Sequence, residues 1–262
     1  MSEMLVIEGV IQNLKVEDSK IHPLKNLDEH TLSTTMLGAF ASSSTLMTNA
    51  PIMLMAANGV SAKTFTAEVN GYPIIGQFTT VKFKEGTPVI VVISIEHEQR
   101  RYLAYSVLDP KSGLLYMMYE MGRSVSKGKI AIFKQSFYFS FFGILFIIFF
   151  TVGYVYFSQR EFIFSDFSNI ILFIYLFILS FISLFFIMNL ALSKPYKIAG
   201  ELSEQVFEKL KFEKVKQQDF YHDFDVEDGV HLSVMEYRKS LKGKDPYPED
   251  YFKKKNNQND GD

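Results

Sequence analysis

The spacing of apolar and polar positions divides the chain into segments of different texture. Residues 4–16 (MLVIEGVIQNLKV) and 63–118 follow a period of two, the mark of half-buried strands. Residues 136–157 (SFYFSFFGILFIIFFTVGYVYF) and 169–192 (NIILFIYLFILSFISLFFIMNLAL) carry no formal charge and are saturated with Phe, Ile and Leu. Beyond them, Ile198, Leu202, Val206 and Leu210 recur at fourfold spacing, with Glu201, Glu204, Glu208, Lys209 and Lys211 on the other faces. That pattern predicts an amphipathic helix over 195–212, which covers the β domain or runs on from the second apolar block.

The period-two region is punctuated by turn chemistry. Asn70-Gly71 lies between TFTAEV and YPIIGQF and predicts a hairpin, because its turn needs positive φ at both central positions. Lys84-Glu85-Gly86 and the stretch from Asp109 to Gly113 mark two further turns, and the first strand is expected to bend at Gly9. About six strands result, with the run 88–96 (PVIVVISIE) buried at the centre, as in a small OB-like antiparallel barrel or sandwich. Between the first and second strands sits an uncharged segment, 31–62, broken by Asn49-Ala50-Pro51 into two expected short helices. It is a helical insertion packed on the β domain, a membrane-active segment or a disordered loop. Its candidate membrane-active residues are Met36, Leu37, Phe40, Leu46, Pro51, Met53 and Met55.

The two apolar blocks are each long enough for a bilayer core, which takes roughly 20 residues of helix. Neither shows the polar stripe of a core helix in a soluble protein. Arg123, Lys127, Lys129 and Lys134 precede the first block, and Lys194 and Lys197 follow the second. The connecting loop offers only Arg160. An excess of basic residues stays on the cytoplasmic side, so the expectation is a two-span hairpin with both termini cytoplasmic. The expected fold class is an α+β membrane protein. Its parts are a β domain over 1–125, the hairpin over 126–194, a cytoplasmic amphipathic helix and short β piece over 195–240, and a disordered tail over 241–262.

Composition narrows the chemistry. With no Cys the chain has no disulfide, thiolate metal site or Cys nucleophile. A net charge of −2 argues against nucleic acid as a partner. No basic region followed by an apolar core opens the chain, so no cleavable signal peptide is expected. The acidic run from Asp219 to Gly229 alternates carboxylates as calcium ligands can. A calcium loop counted from Asp223 would place Asp228 where Gly is required and Val234 where a carboxylate is required. The five His fall in no metal-binding spacing, no Ser lies in a nucleophile elbow, and the glycines form no phosphate loop. Neither an enzyme nor a cofactor is expected, and no ionisable residue interrupts the apolar blocks.

Three stretches resemble a bacterial family described as type VI secretion system effectors. They are the uncharged insertion after the first strand, the run 69–92 (VNGYPIIGQFTTVKFKEGTPVIVV), and Tyr102 to Met118 followed by a basic stretch. The resemblance spans roughly residues 1–195, with Thr87 where the family usually has an acid and Glu120-Met121-Gly122-Arg123 replacing its usual corner. It implies a contact-delivered antibacterial protein that inserts into the inner membrane and disrupts it without catalysis. The other expectation is a resident inner-membrane anchor, scaffold or immunity-type protein whose cytoplasmic β domain binds a protein. Partners would be the lipid bilayer, an immunity or secretion component, and further copies of the chain.

Overall fold

The computed structural model describes residues 3–21, 60–98, 101–119, 121–157, 167–221, 226–227, 230–231 and 233–259. Six strands come first: β1 Met4–Ile21, β2 Val60–Val69, β3 Tyr72–Phe78, β4 Pro88–Glu98, β5 Arg101–Asp109 and β6 Leu114–Met117. Two long helices follow, α1 Val125–Phe157 and α2 Phe167–Lys209. The chain ends in β7 Val226–Glu227, β8 Val230–His231, β9 Val234–Glu236, α3 Tyr237–Ser240 and α4 Tyr251–Asn259. Two compact units result. One joins Met1–Lys127 to Lys197–Asp262, and the other is Gly128–Tyr196.

The β unit is a five-stranded barrel. β1 pairs antiparallel with β2 and β4, β2 with β3, and β4 with β5, while a short parallel pairing of Ile74 with Tyr102 and Ile75 with Leu103 closes the ring. β6 extends the sheet from β5, and β9 extends it from β6. β1 serves both sides because it changes partner midway: Met4 to Val10 lie against β4, Ile11 to Ile21 against β2. The change falls at a bulge between Gln12 and Lys15, where Asn13 takes φ +52°. The following turn holds that bend, since Asn13 N–H donates to Glu85 Oε1 at 3.0 Å and Gly86 N–H to the Ile11 carbonyl at 2.9 Å. The bend is therefore not at Gly9, where the sequence suggested it. Gly9 is needed because the β2–β3 turn crosses it; an added Cβ would lie 3.1 Å from Asn70 N.

Burial explains the rest of the unit. Val89 to Ile93 in β4 are all fully buried, and so are Leu103, Ala104, Tyr105, Val107 and Leu108 in β5. A strand apolar at consecutive positions needs cover on both faces. Inside the barrel, Phe65 meets Phe78 and Phe83 with ring centroids 5.1 and 5.3 Å apart, and Phe83 meets Tyr116 edge-on at 4.9 Å. Outer cover comes from the end of α2: Ile198, Leu202, Val206, Phe207 and Leu210 join the same buried cluster. The expected amphipathic stripe is thus present, carried by α2 as it runs on through Pro195.

Three expectations change. Among the described residues no helix is long and apolar enough to cross a membrane. The transmembrane hairpin, and the two-span inner-membrane placement with cytoplasmic termini, are therefore not supported. Neither apolar block forms an element of its own: α1 opens through Lys127, Lys129 and Lys134, and α2 runs on into the charged stripe that packs on the barrel. The connection 158–166 and the side chains at 147–148, 150–157, 167–174, 176, 188 and 191–196 lie outside the described residues. Second, Val60 to Ala62 belong to β2, so they are not part of the uncharged insertion. Third, the stretch 241–262 is not wholly a loose tail, because it contains α4 and a buried Tyr247.

The packing of α2 on the barrel gives a direct test. Phe207→Ala, at a fully buried site, should cost about 3–5 kcal/mol. Gly200→Val should also destabilise, because a Cβ there would lie 2.9 Å from Val125 Cα. Thermal unfolding followed by circular dichroism should show both losses.

Candidate functional site

The residues between β6 and α1 form a tightly bonded corner. Gly122 N–H donates to Ser203 Oγ at 3.0 Å, and that hydroxyl donates to the Ala199 carbonyl at 2.7 Å. Ser124 precedes α1, its hydroxyl accepting from Lys127 N–H at 3.4 Å and donating to the Lys216 carbonyl at 2.9 Å. Glu204 Oε1 accepts from Val125 N–H at 2.9 Å. A carboxylate and a hydroxyl thus satisfy donors that the first turn of any helix leaves open, and the negative charge suits the positive end of the helix dipole.

The basic residues singled out in the sequence do not form one set. Arg123 Nε donates to Asp219 Oδ1 at 3.0 Å, and its guanidinium lies 4.5 Å from the Tyr221 ring centroid. Both partners of that pair are largely buried, so Arg123 holds the corner rather than facing a headgroup. Lys197 pairs with Glu201 at 3.5 Å one turn along α2. Lys129 and Lys134 are exposed, and Lys127 is half-buried. The side chain of Lys194 lies outside the described residues, as do all seven candidate membrane-active residues: Met36, Leu37, Phe40, Leu46, Pro51, Met53 and Met55.

The helical unit carries an extended exposed apolar surface. α1 and α2 meet along a seam where Phe133 packs on Phe185 and Phe137 on Phe181, with centroids 5.2 and 5.5 Å apart. Ile132, Ser136, Ser140 and Ile144, spaced four apart, are buried on α1. Away from that seam the side chains are largely exposed: Phe142, Phe146, Phe149, Phe186, Ile187 and Leu190 are 60–75% accessible to solvent. Ordinary monomers rarely leave so continuous an apolar surface uncovered.

A second cluster secures the C-terminal segment. Tyr237 Oη lies 2.9 Å from both Asp245 Oδ1 and the Tyr247 carbonyl, which share its one proton. Arg238 bonds Asp245 Oδ2 at 2.8 Å and the carbonyls of Pro110 and Tyr247. Tyr251 donates to the Glu8 carboxylate at 3.1 Å, and Lys255 Nζ reaches it at 2.7 Å, fastening α4 to β1. Sequence reasoning missed this clamp; the two Pro and dense charge of 241–262 masked the periodic Tyr247, Tyr251 and Phe252. Among the described residues no group of three or more His, Asp or Glu could hold a metal ion. No family model, curated protein or solved structure matches the chain.

The tyrosines of the clamp set a pH limit. Burial first, then the nearby Asp245 charge, pushes the Tyr237 hydroxyl well above the ordinary phenol range. Burial, then Tyr251 and Glu8, do the same for Tyr247. A pKa raised in the folded state gives stability that is complete below the unfolded value, about 10, and lost as pH rises towards the folded value. Denaturant melts should therefore weaken above about pH 10. The decline should be shallower in Tyr237→Phe, which has one fewer phenol to keep protonated.

Proposed function

We propose that the protein is a non-catalytic binding protein that associates with lipid through its helical unit and offers the barrel unit to a protein partner. The observation that carries this reading is the exposed aromatic face of α1 and α2, typified by Phe142 at 62% exposure. Moving one such side chain from water into hydrocarbon is worth about 1.5–3 kcal/mol. Several acting together exceed the cost of holding the unit at an interface, and the contact requires neither helix to cross. The exposed Lys129 and Lys134 would each add about 1 kcal/mol near anionic headgroups.

Support for the partner role is thinner and lies on the barrel. Leu5, Val10 and Val16 of β1 and Ile95 of β4 are exposed apolar side chains on paired strands. The effector role implied by the resemblance would add membrane disruption to the same lipid contact.

Vesicle flotation tests the lipid reading. The purified full chain should float with neutral vesicles and more strongly with anionic ones, and Phe146→Asp with Phe186→Asp should sharply reduce flotation. A folded, monodisperse chain that stays at the bottom of the gradient with both vesicles would refute it. Release of an entrapped dye at the same protein concentration would replace the docking role with membrane disruption.

A further inference from the structure

Beyond its bulge, β1 is paired on one side only. Lys15 to Ile21 lie against Thr66 to Val60 of β2. On their other side β4 has ended, since its pairing with β1 stops where Val10 meets Pro88. Among the described residues no strand takes its place. Lys15, Glu17 and Asp18 are exposed there, and Val16 is 41% accessible to solvent. An open strand edge presents unpaired N–H and C=O groups, a template for pairing with another chain.

We infer that this edge pairs with the same edge of a second copy, antiparallel about a two-fold axis through Val16. The charges along the edge select that register. Directly opposed residues share a face of the sheet, so the axis passes through a residue and not between two. Centred on Lys15, Glu17 or Asp18, the pairing would set that charge against itself, which is destabilising. A centre at Ser19 draws on Asp18, which Lys63 already holds at 2.8 Å. Centred on Val16, Lys15 of each copy meets Glu17 of the other, giving two opposite-charge pairs on one face. The two valines meet on the other face. Among the described residues neither Lys15 nor Glu17 is taken up by an ion pair within the chain. The contact uses the same edge of both copies, so it closes as a dimer and does not propagate. It belongs to the barrel unit and does not rest on the lipid association.

The chain has no cysteine, so a single introduced one reports the register. Directly opposed residues of an antiparallel pair have Cα atoms about 4.5–5.5 Å apart, within reach of a disulfide. The full chain is kept in a mild detergent that covers its apolar helices, and is oxidised at low concentration. Val16→Cys should link into dimers on a non-reducing gel. Glu17→Cys and Asp18→Cys, each out of register with its own copy, should not. By sedimentation equilibrium in the same detergent, Lys15→Glu should raise the dimer dissociation constant roughly tenfold, by turning two attractions into two repulsions. Lys15→Glu combined with Glu17→Lys should restore the dimer, a rescue that a simple loss of stability would not give. A monomeric wild type would overturn the pairing. Equal linkage at all three cysteines, or failure of the double reversal to restore association, would do the same.

Discussion

Strands β4 and β5 are apolar on both faces, and the rest of the β unit follows from the need to cover them. One face turns into the barrel, where Phe65, Phe78, Phe83 and Tyr116 fill the interior. The other would lie open to water were it not for residues supplied from far along the chain. Val206, Phe207 and Leu210 of α2 contribute, with Phe212, Phe220, Met235 and Tyr237 beyond them, all buried in one cluster with the strands. Without that C-terminal contribution the barrel would expose the very strands that define it.

This dependence also fixes where α1 begins. The end of α2 is held against the barrel by its apolar stripe, which places Ser203 under Gly122 and Glu204 at the first turn of α1. Gly200 completes the arrangement by letting the two backbones come close at Val125. Arg123 and Asp219 close the corner as a shielded ion pair, whose geometry is set by backbone pairing at the same two residues. The β unit thus anchors the start of one long helix and the end of the other, while their apolar middles belong to a separate unit.

Local features of this fold were legible in the sequence. Asn70 and Gly71 adopt the positive φ values their turn demands, and Gly86 and Gly113 do the same in the other two turns. The stripe Ile198, Leu202, Val206 and Leu210 is buried where its spacing placed it. What could not be read were pairings across long sequence separations. Arg123 looked like one more flanking cation because its partner lies 96 residues away. The α4 latch was invisible because Glu8 and Tyr251 are separated by 243 residues. Gly9 misled for a related reason: its missing side chain serves a crossing turn from another strand rather than its own backbone. The apolar blocks misled differently, since their composition was read as free-standing spans while the helices that contain them extend beyond both into charged sequence. Of the proposed site, the greasy face was plain from the run of Phe.

The order in which the ribosome releases the chain has a consequence for this architecture. All five barrel strands emerge before α1, yet their outer cover belongs to the end of α2 and to residues beyond it. The nascent β unit must wait through the synthesis of two long Phe-rich helices with β4 and β5 uncovered. The fastening of Lys255 on Glu8 joins residues 247 apart in the chain. An early stop codon would leave a sticky, half-closed barrel.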